Sequence, residues 1–477
     1  MKKIWTLLLA LTLGVNMLSA CGGKTGESVS STESSASEEH VHSFSEEWRR
    51  STSQHWRVCS CGEKTDVAKH EGVAPSCTEK PVCTTCGKTY GEVPGHQYDT
   101  KVKEDGDWIY TCTVCNEKEN LSDFVDFTVE VAVGENPVVL QLSDTQLMSI
   151  NESVNENTCY KYVRDTVAAT NPDLIIITGD LVYGRFDDKK GTMFLQFIDF
   201  MESLNILWAP VFGNHDNECW LGVDWQCEQL ENAKNCLFKQ GDLTGNGNYT
   251  VGIMQGEELL RVFYMMDSNG CSQPMVNGAT GNNSLLQHNT AVAAGTNQVK
   301  QGAGFGNDQT AWMKNSAMAL KSMEPDVKLS MACHIQPDVF GDAFKTYNFN
   351  GKDVIDIEAL EGVEGDFGVI GAGMKGPWDT DKAVYRSMKA IGFDSIFVGH
   401  EHCNSASIVY EGIRLQYGQK SSTCDRYNVL NSAGKIEGGY NLSGTPLMGG
   451  TVLPLSADGA IVNPYIYLYG NPLGRNP

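Results

Sequence analysis

Basic side chains are scarce in this sequence: 36 lysines and arginines stand against 59 aspartates and glutamates in 477 residues, a net charge of −23. That balance argues against a protein built to grip nucleic-acid phosphates. Long apolar runs are missing as well. After the first twenty residues, no segment has the length and continuity of a membrane-spanning helix. Neither a Ser–His–Asp set nor a carboxylate pair placed for glycosidic cleavage is evident. Gly23-Lys24-Thr25 lacks the further glycine, strand and helix of a phosphate-binding loop. Residues 22–39 hold almost no large apolar side chain, so they cannot repay the entropy of ordering and read as a flexible tether, 21–39. What remains is long enough for more than one domain and a substantial core.

The N-terminus has a positive start at Lys2 and Lys3, an apolar stretch from Ile4 to Val15, and Leu18-Ser19-Ala20-Cys21. This resembles a bacterial lipoprotein signal, with residues 1–20 removed and Cys21 lipidated. The resemblance implies an extracytoplasmic protein held at the bacterial cell membrane by acyl chains alone. An ordinary secretory signal or a short membrane anchor is the plainer alternative.

Between residues 40 and 120 lie seven of the 16 cysteines and five of the 10 histidines. Three passes of a histidine followed by a close cysteine pair suggest one small unit used three times: Cys59 with Cys61, Cys83 with Cys86, Cys112 with Cys115. Such spacing suits tetrahedral zinc, and Cys77, Cys83, Cys86 and His96 form the most plausible four-ligand set. Disulfides, favoured in exported proteins, and a redox couple are the competing readings. The segment reads as a stapled module for attachment or spacing.

From about residue 125 to 477 the pattern changes to short apolar runs alternating with helical stretches, an α/β arrangement. Strand-like runs cover 138–143, 174–178, 207–212, 259–266, 327–333 and 394–398; helical spacing covers 159–170, 193–204, 309–323 and 381–391. Segments 217–258 and 269–308 read as long loops at the rim of a substrate cleft. Oxygen or imidazole donors stand where the runs end: Asp144, Asp180, Asn214-His215-Asp216, His334, and His400 with His402. Taken singly, Asp180 after glycine could be a turn residue and His334 a satisfied core histidine. His400 and His402, two apart, would share one face of a continuing strand. Together they converge as a metal centre requires.

Asp144-Thr145-Gln146, Gly179-Asp180-Leu181-Val182-Tyr183, Gly213-Asn214-His215-Asp216, His334 and Gly399-His400-Glu401-His402 resemble the five blocks of calcineurin-like metallophosphoesterases. The resemblance implies a four-layer α/β/β/α sandwich holding two metal ions in a strand-end cleft. It gives Asp144, Asp180 and His402 to a first metal, and Asp180, Asn214, His334 and His400 to a second. A metal-bridging hydroxide would be the nucleophile and His215 the acid or charge stabiliser, with Asp216 orienting its ring. The substrate class is a phosphate-ester small molecule or an envelope phosphate.

One block departs. Most of the family has Asp-x-His first, whereas Gln146 stands at the histidine position here. Purple acid phosphatases, a branch of the same superfamily, lack that histidine and use a tyrosine at the spacing of Tyr183. Iron, manganese or zinc suits the centre, and a Tyr183 phenolate would favour ferric iron beside a divalent partner. A second functional class stays open: an inactive phosphoesterase-fold surface protein that binds a partner through its Cys/His module.

Overall fold

The computed structural model describes residues 40–269, 304–371 and 381–476; Cys21, the signal and the tether lie outside them. Contacts divide these residues into two units, 40–75 with 80–92 and 76–79 with 93–476. The expected module of 40–120 is thereby split, because its last third packs with the chain beyond residue 120. The smaller unit carries a three-stranded antiparallel sheet of Arg49–Arg50, Gln54–Val58 and Lys64–Lys69.

In the larger unit, residues 93–120 form an antiparallel sheet of Thr100–Glu104, Asp107–Thr111 and Lys118–Asn120. Trp108 and Tyr110 enter the same apolar cluster as Leu320 and Met323. Tyr110 also donates through its hydroxyl to Glu324 at 2.7 Å, and Lys101 pairs with the same carboxylate at 2.5 Å. Aromatic burial and a shared carboxylate therefore tie this sheet to the main body of the unit.

That body is a two-sheet sandwich. Its strands are β1 (Phe127–Val131), β2 (Val138–Leu142), β3 (Leu174–Thr178), β4 (Leu207–Val211), β5 (Tyr249–Gln255) and β6 (Glu258–Met265). The rest are β7 (Lys328–Ala332), β8 (Ser395–Val398), β9 (Ser407–Tyr410), β10 (Ile413–Tyr417), β11 (Gly449–Pro454) and β12 (Tyr465–Leu468). One sheet runs β4-β3-β2-β11-β12 and the other β9-β10-β8-β7-β6-β5-β1. Strands β2, β3 and β4 are mutually parallel, as are β6, β7, β8 and β10.

Alternation along β6 shows the layers. Phe263 and Met265 join a core shared with β2 and β3, whereas Val262 and Tyr264 face a second core. Helices α1 (Lys161–Thr170) and α2 (Thr192–Ser203) contribute to the first core. Further helices are α3 (Val223–Asn232), α4 (Asn307–Met323), α5 (Val339–Phe344) and α6 (Asp381–Ile391); α4 to α6 supply the second core. Two hydrogen bonds cross between the sheets, Gln141 to the Val398 carbonyl at 3.1 Å and Tyr249 to the Pro210 carbonyl at 2.6 Å. The expected mixed α/β sandwich is the fold.

Segment 217–258 is not a long loop. It contains α3 and β5, which the Gly- and Asn-rich flanks conceal in the sequence. Part of the second expected loop, 270–303, lies outside the described residues.

Candidate metal centre

Parallel strands place the donors. Asp144 and Asp180 each follow the end of their strand, β2 or β3, by two residues; Asn214 follows β4, His334 β7 and His400 β8. In open α/β sheets, ligands gather at such carboxyl ends. The backbone there is bent hard: Asp144, Gln146, Asp180 and His400 have φ of 51°, 41°, 53° and 73°. L-residues rarely sit in that left-handed region, and strain of this kind clusters at functional sites. Loop-to-loop hydrogen bonds hold the bends, from Asp144 N to Gly179 O (3.2 Å), Gln146 N to Asp180 O (2.8 Å) and Gly399 N to His334 O (3.0 Å). Gly213 has no room for a side chain, because a Cβ there would overlap Asp180 Oδ1. His400 and His402 therefore do not lie on a continuing strand; β8 stops at Val398 and the turn aims them differently.

One donor group converges tightly. Asn214 Oδ1 lies 3.0 Å from His334 Nε2 and 2.8 Å from His400 Nδ1, and these two nitrogens are 3.3 Å apart. His334 Nε2 is also 3.4 Å from Asp180 Oδ1. His334 keeps its other nitrogen on the Thr178 carbonyl at 2.8 Å, which fixes the ring. Three of the assigned second-metal donors thus meet around one imidazole nitrogen, and Asp144, Asp180 and His334 present atoms within 4.8 Å of one another. Two imidazoles and two oxygens suit zinc, manganese or iron. The donor set fits a cation.

The electrostatics agree. Burial opposes ionisation of Asp180, but His334 and His215 hold its carboxyl well below the usual range. Burial would lower His334, yet Asp180 raises it to about 9, while burial and the His334 charge push His400 down to about 3. A buried carboxylate facing two imidazoles at this range needs one positive charge, supplied by a proton or by a metal.

The other side of Asp180 is less complete. His402 Nε2 lies 3.3 Å from Asp144 Oδ1, and its Nδ1 3.4 Å from Asp425. Gln146 is turned as a hydrogen-bonding residue. Its amide donates to Asp180 Oδ2 at 2.8 Å, and its Oε1 accepts from Lys420 Nζ at 3.2 Å. Lys420 is buried and also donates to the Asp144 carbonyl at 2.8 Å. A fixed ammonium thus stands beside the donors assigned to the first metal.

Two expected roles are corrected. Asp216 does not orient His215: its oxygens accept from Val182 N at 3.0 Å and Gly213 N at 2.7 Å, clamping two loops together. The partner of His215 is Glu218, whose Oε2 lies 3.2 Å from His215 Nδ1. Glu218 is buried and held by a two-pronged contact from Arg185, at 2.9 and 3.1 Å. Tyr183 is not placed as a phenolate ligand. Its ring stacks on His215 with centroids 3.8 Å apart, and its oxygen accepts from Arg185 at 2.7 Å. Burial pushes that phenol up to about 12, away from ionisation.

Sequence reading misses Glu218, Arg185 and Lys420. The spacing of Glu218, three after His215 within one helical turn, is an available signal; Lys420 has none. The cleft is lined by Asp180, Asn214, His215, His400, Glu401 and His402, with Asp425, Arg426 and Tyr440 at its far side.

The structure also regroups the expected zinc set. Cys77 and His96 lie with Cys112 and Cys115, whereas Cys83 and Cys86 lie with His55 and His70. The reason is chain pairing: His55 and His70 occupy or adjoin paired strands that carry them to the Cys83–Cys86 turn.

Because the Tyr183 oxygen is hydrogen-bonded to Arg185, protein loaded with iron under oxidising conditions should show no tyrosinate charge-transfer band in the visible region. Absorption spectra of the parent and of Tyr183→Phe should coincide there. A band that Tyr183→Phe abolishes would restore phenolate ligation.

Comparison with known proteins bears on the family of this chain. A model of the calcineurin-like phosphoesterases matches residues 137–404, which contain β2 to β8 and Asp144, Asp180, Asn214, His334, His400 and His402. The chain is 30% identical over 101 residues to "Probable inactive purple acid phosphatase 14" of Arabidopsis thaliana, covering 19% of this chain and 25% of that one. It is 23% identical over 283 residues to "Probable inactive purple acid phosphatase 29" of the same plant, covering 54% and 61%. The chain thus spans less than two thirds of the length of either curated relative. Among solved structures, TT1561 of Thermus thermophilus matches with a TM-score of 0.32 at 10% identity, covering 64% of this chain and 99% of that one. GAP50, "the anchor in the inner membrane complex of Plasmodium", matches at 0.32 and 12%, covering 70% and 89%. With more than half of its length matched by the family model, the chain belongs to the calcineurin-like phosphoesterases, a family of metal-dependent phosphoester hydrolases.

Proposed function

We propose that this chain is an extracytoplasmic, lipid-anchored enzyme that hydrolyses a phosphate ester at a dinuclear metal centre. The observation that carries the reading is Asn214 Oδ1 seated between His334 Nε2 and His400 Nδ1, with the Asp180 carboxylate alongside. When bound, metal ions supply Lewis-acid polarisation of the phosphate and a nucleophile drawn from water at neutral pH. Asp180, Asn214, His334 and His400 would hold one ion, and Asp144, Asp180 and His402 the other.

The remaining residues act on the substrate. Glu218 holds His215 Nδ1, which leaves Nε2 to meet the phosphate and to protonate the leaving oxygen. The Tyr183 ring stacked on His215 restricts its swing. Arg426 lines the same cleft and offers a guanidinium to the phosphate oxygens.

A second reading rests on one observation: Lys420 and Gln146 stand where a strong first-metal donor would be expected. An inactive, partner-binding phosphoesterase fold would accommodate that, and both Arabidopsis relatives are named probable inactive. Hydrolysis of a chromogenic phosphomonoester and phosphodiester, with metal analysis of the same sample, separates the two readings. Turnover that tracks metal content supports the enzyme; metal-replete protein without turnover supports the binding reading.

Asp180→Ala should remove both bound ions and all turnover, since it deletes the shared carboxylate; full occupancy with normal turnover would refute the assignment. His215→Ala should retain metal and lose about two to four orders of magnitude in kcat. Glu218→Gln should lose less, about one order, because the imidazole is kept but loosely held. Metal loss in either variant would mean that His215 does not serve the substrate.

Cys21→Ala should release the protein from membranes in detergent phase separation, as the acyl chains are the proposed anchor. Unchanged membrane retention, with no lipid on Cys21 in the parent, would overturn the anchoring.

A further inference from the structure

The seven cysteines and five histidines between residues 40 and 120 play no part in the phosphoesterase centre, yet they fall into three four-residue groups. These are His40, His42, Cys59 and Cys61; His55, His70, Cys83 and Cys86; and Cys77, His96, Cys112 and Cys115. Within each group the four donor atoms lie within 4.8 Å of one another. The geometry points to three separate tetrahedral zinc sites, two in the smaller unit and one in the larger.

Donor spacing carries the first part of the argument. In a tetrahedral site with Zn–S near 2.3 Å and Zn–N near 2.0–2.1 Å, sulfur–sulfur edges are roughly 3.8 Å and sulfur–nitrogen edges roughly 3.6 Å. Cys77 Sγ and Cys112 Sγ are 3.8 Å apart. Sulfur–nitrogen pairs are 3.3 Å for Cys59–His40, Cys61–His42 and Cys115–His96, 3.4 Å for Cys86–His70 and 3.6 Å for Cys83–His55. Each group therefore has two edges close to those of a ligand tetrahedron, and no sulfur in it is disulfide-bonded.

The far side of the imidazoles supplies the second part. Metal-bound histidines commonly give their other nitrogen to a carboxylate or carbonyl, which fixes the ring and its tautomer. His42 turns Nδ1 to Cys61 and Nε2 to Glu63 at 2.9 Å. His70 turns Nδ1 to Cys86 and Nε2 to the Ser51 carbonyl at 3.1 Å. His96 turns Nδ1 to Cys115 and Nε2 to Glu117 at 3.8 Å. One orientation thus recurs in all three groups.

The cysteine turns recur too. Gly62 N meets Cys59 O, Gly87 N meets Cys83 O and Asn116 N meets Cys112 O, at 2.8 to 2.9 Å. The closing residues have φ of 93°, 68° and 61°, the left-handed conformation that glycine and asparagine accept most readily. In the first and third groups, 19 residues separate histidine from cysteine, in His40–Cys59, His42–Cys61 and His96–Cys115.

The sites also answer a packing problem. Among the described residues, the smaller unit contributes nothing to either apolar cluster, while all four donors of its second group are buried. A unit that short of apolar core needs a staple, and zinc binding free energy would serve as folding free energy there. In the larger unit, the third site would pin the Asp107–Thr111 strand, whose Trp108 and Tyr110 enter the apolar core.

The test uses the full chain purified without chelator or added thiol. A mercurial reagent with a zinc-sensitive dye should release three equivalents of thiolate-bound zinc per chain. Asp180→Ala should leave that number unchanged, which separates these sites from the phosphoesterase centre. Glu63→Gln, which keeps every donor but alters the 2.9 Å contact on His42, should weaken the first site about 10–100-fold in chelator competition. In denaturant without reductant, all seven cysteines should alkylate. Release of two equivalents or fewer overturns the three-site assignment. Cysteines that resist alkylation until reduced overturn it in favour of disulfides.

Discussion

A carboxylate without water is the constraint on which the phosphoesterase body depends. Asp180 is fully buried, and it accepts from the His215 backbone at 2.9 Å and the Gln146 amide at 2.8 Å. Burying an anion costs several kcal/mol unless positive charge and hydrogen bonds offset it. Three segments, those after β2, β4 and β7, bring Gln146, His215 and His334 to Asp180 as those partners. Their convergence explains why β2, β3, β4 and β7 end near one another, and the turns after β2 and β3 are bent into left-handed backbone to allow it.

That constraint also dictates the glycine pattern. Gly213 must be bare because Asp180 Oδ1 fills the space where a Cβ would stand, and at Gly179, with φ 87°, a Cβ would lie 2.5 Å from His334 Nδ1. The Asp216 clamp on Gly213 and Val182 then acts on the same bends from beneath. Burial and the nearby Asp180 charge push Asp216 well above the usual carboxylate range. Its effect is therefore structural: it fixes the backbone that carries Asn214 and His215, whereas Glu218 fixes the imidazole itself.

Much of this is legible in the sequence, for a physical reason. Parallel strands buried on both faces read as continuous apolar runs, and their ends mark themselves by the first polar donor. Thus the run 174–178 coincides with β3, and 207–212 matches β4 to within one residue. Strands β11 and β12 stay hidden, since β11 carries two glycines and a closing proline and reads as loop. Lys420 is invisible because its contacts to Asp144 and Gln146 cross more than 270 residues of chain. The Cys/His groups between residues 40 and 120 are misassembled from sequence for a related reason. Close cysteine pairs are local, but which histidine meets them is decided by strand pairing, and the 19-residue interval is a cue to it in the first and third groups alone.

Lys420 bears on how the two halves of the centre differ. Its ammonium lies near Asp144, and burial there is opposed by His402, His334 and Lys420, which together hold the Asp144 carboxyl at about 2. Charge already fixed in the protein screens the attraction that Asp144 offers to an incoming ion, and at buried distances that repulsion is weakly damped. On the other side, the ring nitrogens of His334 and His400 meet Asn214, the Thr178 carbonyl and each other, while the His400 backbone N–H donates to Asp144. The two sides of Asp180 are thus electrostatically unequal. The His334 side gathers Asp180, Asn214 and His400 around one imidazole nitrogen, and the His402 side has the Lys420 ammonium within its hydrogen-bond network. A substitution at Gln146 therefore acts on two things together, the amide that holds Asp180 and the oxygen that holds Lys420.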